Sequence, residues 1–174
     1  MENQIIADLL AGKVVTVPTE TVEGFAVGLD SEQGIRELMV LKRRDYDSDK
    51  IFTLVPESRE AISKNALIPA GALGLIEQYV PGELTLILPK NPEFHHFYYD
   101  EFEKRGRKIG IGVRIPDYSL FEEILPKVGP LILTSANARG GKPKSITGHK
   151  PSTIVDFTGE TPRIIRQGNL YLGF

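Results

Sequence analysis

The amino-acid sequence predicts an α/β protein built on a mixed β-sheet. Short apolar segments with strand character alternate along the chain with longer segments whose apolar residues recur at helical spacing. Some predicted strands also follow one another without a helix between them, which favours antiparallel neighbours in a sheet that also contains crossovers. The length of 174 residues suits one domain with a core of its own.

The elements before residue 57 are predicted to be two helices and two strands. A helix covers residues 3–11, and a strand over residues 14–17 is closed by Pro18. The stretch PTETVEGFAVG is expected to be a loop because it contains two glycines. SEQGIRELMVLKRR predicts a helix with Ser31 as its N-cap and a basic end, and KIFTLVP predicts a strand.

The later elements continue the mixture of helices and strands. Residues 58–67 and 70–80 are predicted to be helices, and PGELTLILP is predicted to be a strand entered through a Pro-Gly turn. HHFYYDEFEKRGRK, residues 95–108, is expected to be a charged, aromatic loop. DYSLFEEILPKV predicts a further helix, and four further strands are predicted in KIGIGVRIP, PLILTSAN, PSTIVDF and PRIIRQG.

Composition limits the classes of protein that fit. Apolar residues make up 41% of the chain and charged residues 25%, and the formal net charge is −2, so no strongly basic sheath for nucleic acid is expected. The absence of cysteine excludes thiol chemistry and is typical of a reducing cytoplasm. The apolar runs are too short to cross a bilayer, and the first residues predict an amphipathic helix instead of a targeting segment.

Motifs for metal ions and for phosphate loops fail at their defining positions. In DYDSDK, a calcium loop would need Gly and Glu where Lys50 and Pro56 stand. ARGGKP lacks the first glycine and the final Ser or Thr of a phosphate loop. His95 and His96 are adjacent and make a poor pair of ligands. No metal site is therefore expected.

Polar stretches at the ends of elements are the candidate ligand contacts, each with a simpler alternative. VPTET places Thr19, Glu20 and Thr21 after a strand, as a turn or as contacts to a polar substrate. LKRR either complements a helix dipole or clamps a phosphate. In LTSAN, Ser135 and Asn137 share a face if the chain is extended. The carboxyl ends of strands are common ligand positions, although these residues could also simply form a turn. Arg166 in RIIRQG is either a surface arginine or an anion contact.

The order of the stretches VPTETVEGFAVG, LKRR, PGELTLILP, IGVRIPD, LTSAN, STIVD and IIRQG resembles the threonylcarbamoyl-AMP synthase family of YrdC-like domains, over about the whole chain. The resemblance implies a single YrdC-like domain over residues 1–174, with a twisted open sheet, flanking helices and a large ligand cleft. It also implies synthesis of L-threonylcarbamoyl-AMP from L-threonine, bicarbonate and ATP, with release of pyrophosphate. That product serves threonylcarbamoyl modification of the tRNA adenosine next to the anticodon.

The resemblance also implies the roles of particular residues. The Lys-x-Arg and Ser-x-Asn motifs supply the expected catalytic residues, which are Lys42, Arg44, Ser135 and Asn137. The same four are expected to bind ATP together with one further cation, Arg166. The expected threonine pocket consists of Thr19, Thr21, Arg114 and Ser152. Mg²⁺ is expected to arrive with the ATP phosphates and to need no cage of protein ligands.

The expected partners are the three substrates, RNA in the form of tRNA or double-stranded RNA, and the downstream tRNA-threonylcarbamoyl transferase proteins. No membrane contact is expected, and the cytoplasm is the expected compartment.

The chain departs from the family pattern in three places. Glu23 stands where many members have Tyr, and Val55 or Pro56 stands where many have a pocket histidine. KIFTLVP is similar to the sister branch of YciO-like proteins. Only fourteen residues, 138–151, separate the Ser-x-Asn motif from Ser152, which implies a trimmed segment and a more open cleft.

Two other functions therefore stay open. One is a YciO-like relative that adenylates another carbamate or carbamoyl itself. The other is a module that binds double-stranded RNA through EKRGRK, although this cluster is expected to be a mobile, solvated loop over the cleft.

Overall fold

The computed structural model describes residues 2–137, 141 and 148–173. Its helices are α1 (Glu2–Leu10), α2 (Glu32–Lys42), α3 (Ile62–Asn65), α4 (Ala70–Tyr79), α5 (Phe97–Lys104) and α6 (Ser119–Val128). Its strands are β1 (Val15–Val17), β2 (Gly24–Gly28), β3 (Thr53–Val55), β4 (Leu84–Pro89), β5 (Gly110–Val113), β6 (Leu131–Ser135), β7 (Thr153–Asp156) and β8 (Arg163–Arg166). The trimmed segment predicted before Ser152 lies largely outside the described residues.

One sheet of eight strands, in the order β1-β2-β6-β3-β5-β4-β7-β8, organises the molecule. The pairs β3/β5 and β4/β7 are parallel, and the other neighbouring pairs are antiparallel. The predicted mixed sheet is therefore confirmed. No helix among the described residues is both long and apolar enough to span a membrane.

Strand β2 corrects the prediction of a loop over PTETVEGFAVG. The strand pairs with both β1 and β6, and Gly24 is opposite Ser135. A Cβ on Gly24 would lie 2.7 Å from the side chain of Leu133, so this glycine permits close strand packing and does not mark a turn. The register places the residues after VPTET beside the end of β6.

Helix α5 corrects the prediction of a charged, aromatic loop over residues 95–108. Tyr98, Tyr99 and Phe102 are buried, and Tyr98 stacks on Phe52 with ring centroids 5.4 Å apart. Its hydroxyl also accepts a hydrogen bond from the Phe52 amide at 3.1 Å. The helical spacing of Tyr98 and Phe102 was masked by charged neighbours, which lie on the outer face of the helix.

The remaining predicted elements appear with small changes in their ends. Ser31 caps α2 as predicted, because its hydroxyl accepts from the Gly34 amide at 3.1 Å. The helix predicted over residues 58–67 is wrong in extent, since only the four residues of α3 are helical. Apolar side chains from strands and helices form one buried cluster, which includes Leu54, Leu86 and Ile132.

Candidate functional site

The last residue of α2 is joined to the end of β6. Lys42 is 3% exposed, and its ammonium donates to Ser135 O at 2.7 Å, Asn137 O at 2.6 Å and Asn137 Oδ1 at 3.2 Å. The Ser135 hydroxyl donates to the same Asn137 Oδ1, and the Asn137 amide NH₂ donates to Gly141 O at 2.7 Å. Ser135 and Asn137 thus meet as predicted, but through a bend after the strand and not on one extended face.

Burial and like charge change the acidity of this lysine. Desolvation, followed by the positive charges of Arg44 and Lys50, lowers the pKa of Lys42 to about 8. The three oxygen acceptors around its ammonium all belong to the turn at residues 135–137. The cation therefore organises this turn as well as supplying charge.

Arg44 is directed toward the sheet by the C-terminus of α2. Arg43 adopts the left-handed conformation with φ 48°, and the amides of Arg43 and Arg44 donate back to Val40 O and Met39 O. The Arg44 guanidinium carbon then lies 5.1 Å from the ring centroid of Phe52, and Nη1 lies 3.5 Å from Thr134 Oγ1. The two cations of the Lys-x-Arg motif therefore flank the end of β6.

The loop between β1 and β2 is fixed by its threonines. The Thr19 hydroxyl donates to Val22 O at 2.7 Å, so in its 3.0 Å bond with Thr21 the Thr21 hydroxyl is the donor. Thr19 Oγ1 also accepts from the amides of Thr21 and Val22, each at 3.2 Å. Both threonines are buried, and their hydroxyls stabilise the loop.

Arg114 ties this loop to the central strands. Its Nη2 donates to Thr21 Oγ1 at 2.8 Å and to Glu20 Oε1 at 2.9 Å, and its Nε donates to Gly82 O at 3.2 Å. The side chains of Arg114 and Glu20 are 7% and 16% exposed, so this ion pair is mostly removed from water. The predicted threonine-side residues Thr19, Thr21 and Arg114 therefore form one bonded group.

Arg166 on β8 and Ser152 beside β7 form a second bonded group, at the edge of the sheet opposite β1. Arg166 Nε donates to Ser152 O at 2.9 Å, and Nη2 donates to Ser152 Oγ at 3.1 Å. Gly168 allows this approach: a Cβ there would lie 2.4 Å from Pro151 O, and its amide donates to Thr153 Oγ1 at 3.0 Å. The Ser152 hydroxyl is buried behind the guanidinium.

The two groups interact electrostatically. Burial of the guanidinium and, as a smaller cause, the positive charge of Arg114 lower the pKa of Arg166 from its ordinary value. Two partly desolvated arginines that repel each other are stabilised by an anion that contacts both. The arrangement is thus suited to a carboxylate or phosphate group.

Two cavities adjoin these residues. One, of about 480 Å³, lies at the end of α2 and is lined by Arg36, Met39, Val40, Arg43, Arg44 and Asp45. The other, of about 490 Å³, is lined by Glu20, Gln78, Tyr79, Pro81, Gly82, Glu83, Asp117, Asn169 and Leu170. The first opens beside the Lys-x-Arg motif and the second beside the Arg114–Glu20 pair.

Sequence reasoning did not identify Glu20 as the partner of Arg114 or Thr85 as the partner of Ser152. Thr85 Oγ1 lies 2.8 Å from Ser152 Oγ. The available signal was Thr85 itself, a hydroxyl in the middle of the apolar run LTLIL. Among the described residues, no group of three or more His, Cys, Asp or Glu side chains could hold a metal ion.

Solved structures share this fold. The P. abyssi Sua5 structure complexed with L-threonine matches with a TM-score of 0.79 at 24% identity, over 97% of this chain and 54% of the Sua5 chain. E. coli YciO matches with a TM-score of 0.78 at 18% identity, over 97% of this chain and 89% of YciO. The fold and the site together define an α/β domain whose single mixed sheet carries a cluster of lysine and arginine side chains.

The family is established by the sequence. The family model described as "Telomere recombination", which groups Sua5, YciO and YrdC, matches residues 7–147. The chain belongs to the Sua5/YciO/YrdC family, which confirms the resemblance found in its motifs.

Curated relatives carry two kinds of name. A Methanocaldococcus jannaschii protein with the provisional name threonylcarbamoyl-AMP synthase is 30% identical over 149 residues, which are 86% of this chain and 62% of that protein. The threonylcarbamoyl-AMP synthase of Pseudoalteromonas atlantica is 27% identical, over 97% of this chain and 92% of that protein. YciO of E. coli K12 is 25% identical, over 95% of this chain and 88% of YciO. The chain thus spans less than two thirds of the M. jannaschii relative and about half of Sua5.

Proposed function

We propose that this chain synthesises L-threonylcarbamoyl-AMP from L-threonine, bicarbonate and ATP, with release of pyrophosphate. The observation that supports this most directly is the contact of Lys42 with Ser135 and Asn137, which unites the Lys-x-Arg and Ser-x-Asn motifs. The relatives named threonylcarbamoyl-AMP synthase support the same reaction. Its product would be consumed by the transferase proteins that modify tRNA, in the cytoplasm.

The proposed reaction has two steps. The threonine nitrogen bonds to the carbon of bicarbonate with loss of water, giving a carbamate. A carbamate oxygen then bonds to the α-phosphorus of ATP while the bond from that phosphorus to the bridging oxygen breaks, and pyrophosphate leaves. Negative charge grows on the phosphoryl oxygens and on the leaving group.

The cations of the site would stabilise this charge. Lys42 and Arg44 at the end of β6 and Arg166 on β8 are the proposed ATP contacts, and one preorganised contact of this kind is typically worth about 3 kcal/mol in the transition state. The side chains of Ser135 and Asn137 would position the nucleotide. Mg²⁺ would enter with the ATP phosphates, because the nearby protein groups are cations and hydroxyls and not a carboxylate cluster.

The proposed threonine side is the group around Arg114. This cation, held by Thr21 and Glu20, would attract the threonine carboxylate, and Ser152 would act beside Arg166. Thr19 would contribute by fixing the loop, since its hydroxyl already bonds Val22 O and Thr21. Binding would bring the substrate anion between two arginines whose charges repel.

Pyrophosphate release from MgATP and bicarbonate, with and without L-threonine and against other amino acids, tests the proposal. Threonine-dependent release that drops about 100-fold in Lys42→Ala would support it. A Lys64→Ala variant is a matched control, because Lys64 is an exposed surface lysine paired with Glu57. Threonine-independent release, or full activity in Lys42→Ala, would contradict it.

A YciO-like reaction on another carbamate is the second candidate. Val55 and Pro56 are buried where many family members have a pocket histidine, and together with Glu23 they favour a changed amino-acid pocket. The same assay separates the two, because release with a different amine and not with L-threonine would favour the YciO-like reaction.

Double-stranded RNA binding has less support. Arg105 pairs with Glu101 and Asp47, and Arg107 donates to Tyr46 O and to Ser48 O, so both arginines of EKRGRK are engaged within the protein. A steep fall of RNA affinity with salt would be the signature of phosphate contacts by this cluster.

A further inference from the structure

The hydroxyl of Thr85 interrupts an apolar strand. Its neighbours Leu84 and Leu86 are buried in β4, and Thr85 itself is 6% exposed. Valine has the same shape and would suit this strand, whereas a buried hydroxyl costs free energy unless it is bonded. The bond that compensates here runs to Ser152 Oγ at 2.8 Å.

Ser152 in turn holds one edge of the Arg166 guanidinium. A guanidinium only donates, so Arg166 Nη2 donates to the Ser152 hydroxyl oxygen while Nε donates to the Ser152 carbonyl oxygen. The hydroxyl oxygen therefore has two neighbours, Thr85 on one side and Arg166 on the other. Two such contacts leave the Ser152 side chain little freedom to rotate.

We propose that Thr85 is a positioning residue that fixes the Ser152 hydroxyl and, through it, aims the Arg166 guanidinium at the anionic substrate. The three residues lie on or beside three adjacent strands, β4, β7 and β8. Their two hydrogen bonds therefore connect the buried strand β4 to the side chain of Arg166 on the edge strand. The identity of the anion rests on the proposed function, whereas the alignment of Arg166 does not.

Without Thr85, the guanidinium would lose its alignment and not its charge. β8 is an edge strand whose four residues are exposed overall, and the Arg166 guanidinium is only partly buried, so packing alone does not hold this side chain. Its alignment therefore depends on the bonds to Ser152. Alignment before binding lowers the entropy cost of engaging an anion.

The activity test is a double-mutant cycle of Thr85→Val and Ser152→Ala, measured as kcat/KM for ATP. Thr85→Val is expected to lower kcat/KM about 3- to 10-fold, the range of one hydrogen bond, and Thr85→Ser is expected to restore it. In the Ser152→Ala background, Thr85→Val should have no further effect, because its route to Arg166 is gone. Thr16→Val, an exposed position on β1, is the matched control.

A second measurement needs no substrate. Hydrogen exchange of the Arg166 Nη protons, followed by NMR and assigned with Arg166→Lys, should be faster in Thr85→Val and normal in Thr85→Ser, because Nη2 donates to the Ser152 hydroxyl. The Nε–H, which donates to the Ser152 backbone carbonyl, is the internal reference. Unchanged exchange in Thr85→Val would overturn the proposal, and so would losses of kcat/KM that add fully in the double variant. If the wild-type chain makes no threonylcarbamoyl-AMP but Thr85→Val still exchanges faster than wild type, the proposed function is overturned and the positioning role is supported.

Discussion

The ammonium of Lys42 lies 2.7 Å from the carbonyl oxygen of Ser135, so the last residue of α2 is fastened to the last residue of β6. Its two other contacts are the carbonyl and side-chain oxygens of Asn137. An ammonium has three N–H donors, and here three oxygens of one turn receive them. This one side chain therefore holds three oxygens of the turn in place.

Activity is expected to fall as the pH rises through about 8, because that is the pKa of Lys42 in the folded protein. The neutral amine has one donor fewer and no charge for the phosphates. The measurement is kcat/KM against pH for wild type and Lys42→Arg, whose guanidinium stays charged. The variant is expected to be slower without the alkaline fall, and an identical fall in both would contradict the assignment.

Stability should respond to the same titration in the opposite direction. The pKa of Lys42 is lowered from 10.5 to about 8, so the unfolded chain binds more protons between these values. Burying the charge is fully unfavourable below pH 8, and this effect is relieved as the pH rises toward 10.5. A loss of activity above pH 8 should therefore come without a loss of stability due to this residue, which thermal unfolding at each pH checks.

Asn137→Ala is expected to lower turnover at least ten-fold while costing about 1 kcal/mol of unfolding free energy. The variant removes the Oδ1 that receives both Lys42 and Ser135, but it keeps the backbone carbonyl that Lys42 also contacts. Turnover and urea unfolding measure the two effects. Asn91→Ala, which removes side-chain bonds to Ser63 O and Lys64 O, is the control and should keep full turnover.

The family resemblance predicted which residues of the proposed nucleotide site belong together, but contact distances could not be read from the sequence. Lys42, Ser135 and Asn137 were predicted from short motifs at element ends, and the fold brings them into contact. The Arg114–Glu20 pair escaped prediction because its members are 94 residues apart and TET alone indicates only a turn. A partner across the sheet depends on strand order, which local spacing does not encode.

The fold was predicted where periodicity was clear and missed where composition concealed it. The mixed sheet was predicted from the spacing of apolar residues, and the N-cap of α2 was predicted from Ser31. In β2 the glycines suggested a turn, yet Gly24 is required by the side chain of Leu133. In α5 the charged residues suggested a loop, although Tyr98 and Phe102 bury one face.

Gly168→Ala is expected to lower kcat/KM for ATP more than it lowers stability. A Cβ at this position would lie 2.4 Å from Pro151 O and 2.8 Å from Thr153 N, so β8 must move away from residues 151–153. That shift separates Arg166 from Ser152. Steady-state kinetics and thermal unfolding are the measurements, with Gly74→Ala as a control at a helical glycine whose Cβ would meet nothing within 4 Å. Equal activity in both variants would exclude a role for this close approach.

Glu20→Gln tests whether Glu20 occupies the position on Arg114 that a substrate carboxylate would take. In the described structure the guanidinium already has a carboxylate partner 2.9 Å away, and two carboxylates that share one arginine compete for it. The amide keeps the shape and removes the charge, so the variant is expected to lose about 1–2 kcal/mol of stability and to show a KM for L-threonine several-fold below wild type.

The control for that measurement is Glu57→Gln, because Glu57 is half exposed and pairs only loosely with Lys64 at 3.4 Å. It should change neither stability nor the KM for L-threonine. A higher KM in Glu20→Gln would show that the carboxylate acts with the substrate, on the side of its amine, and does not compete with it. The direction of the change in KM thus decides whether Glu20 occupies the place of the substrate or completes its binding site.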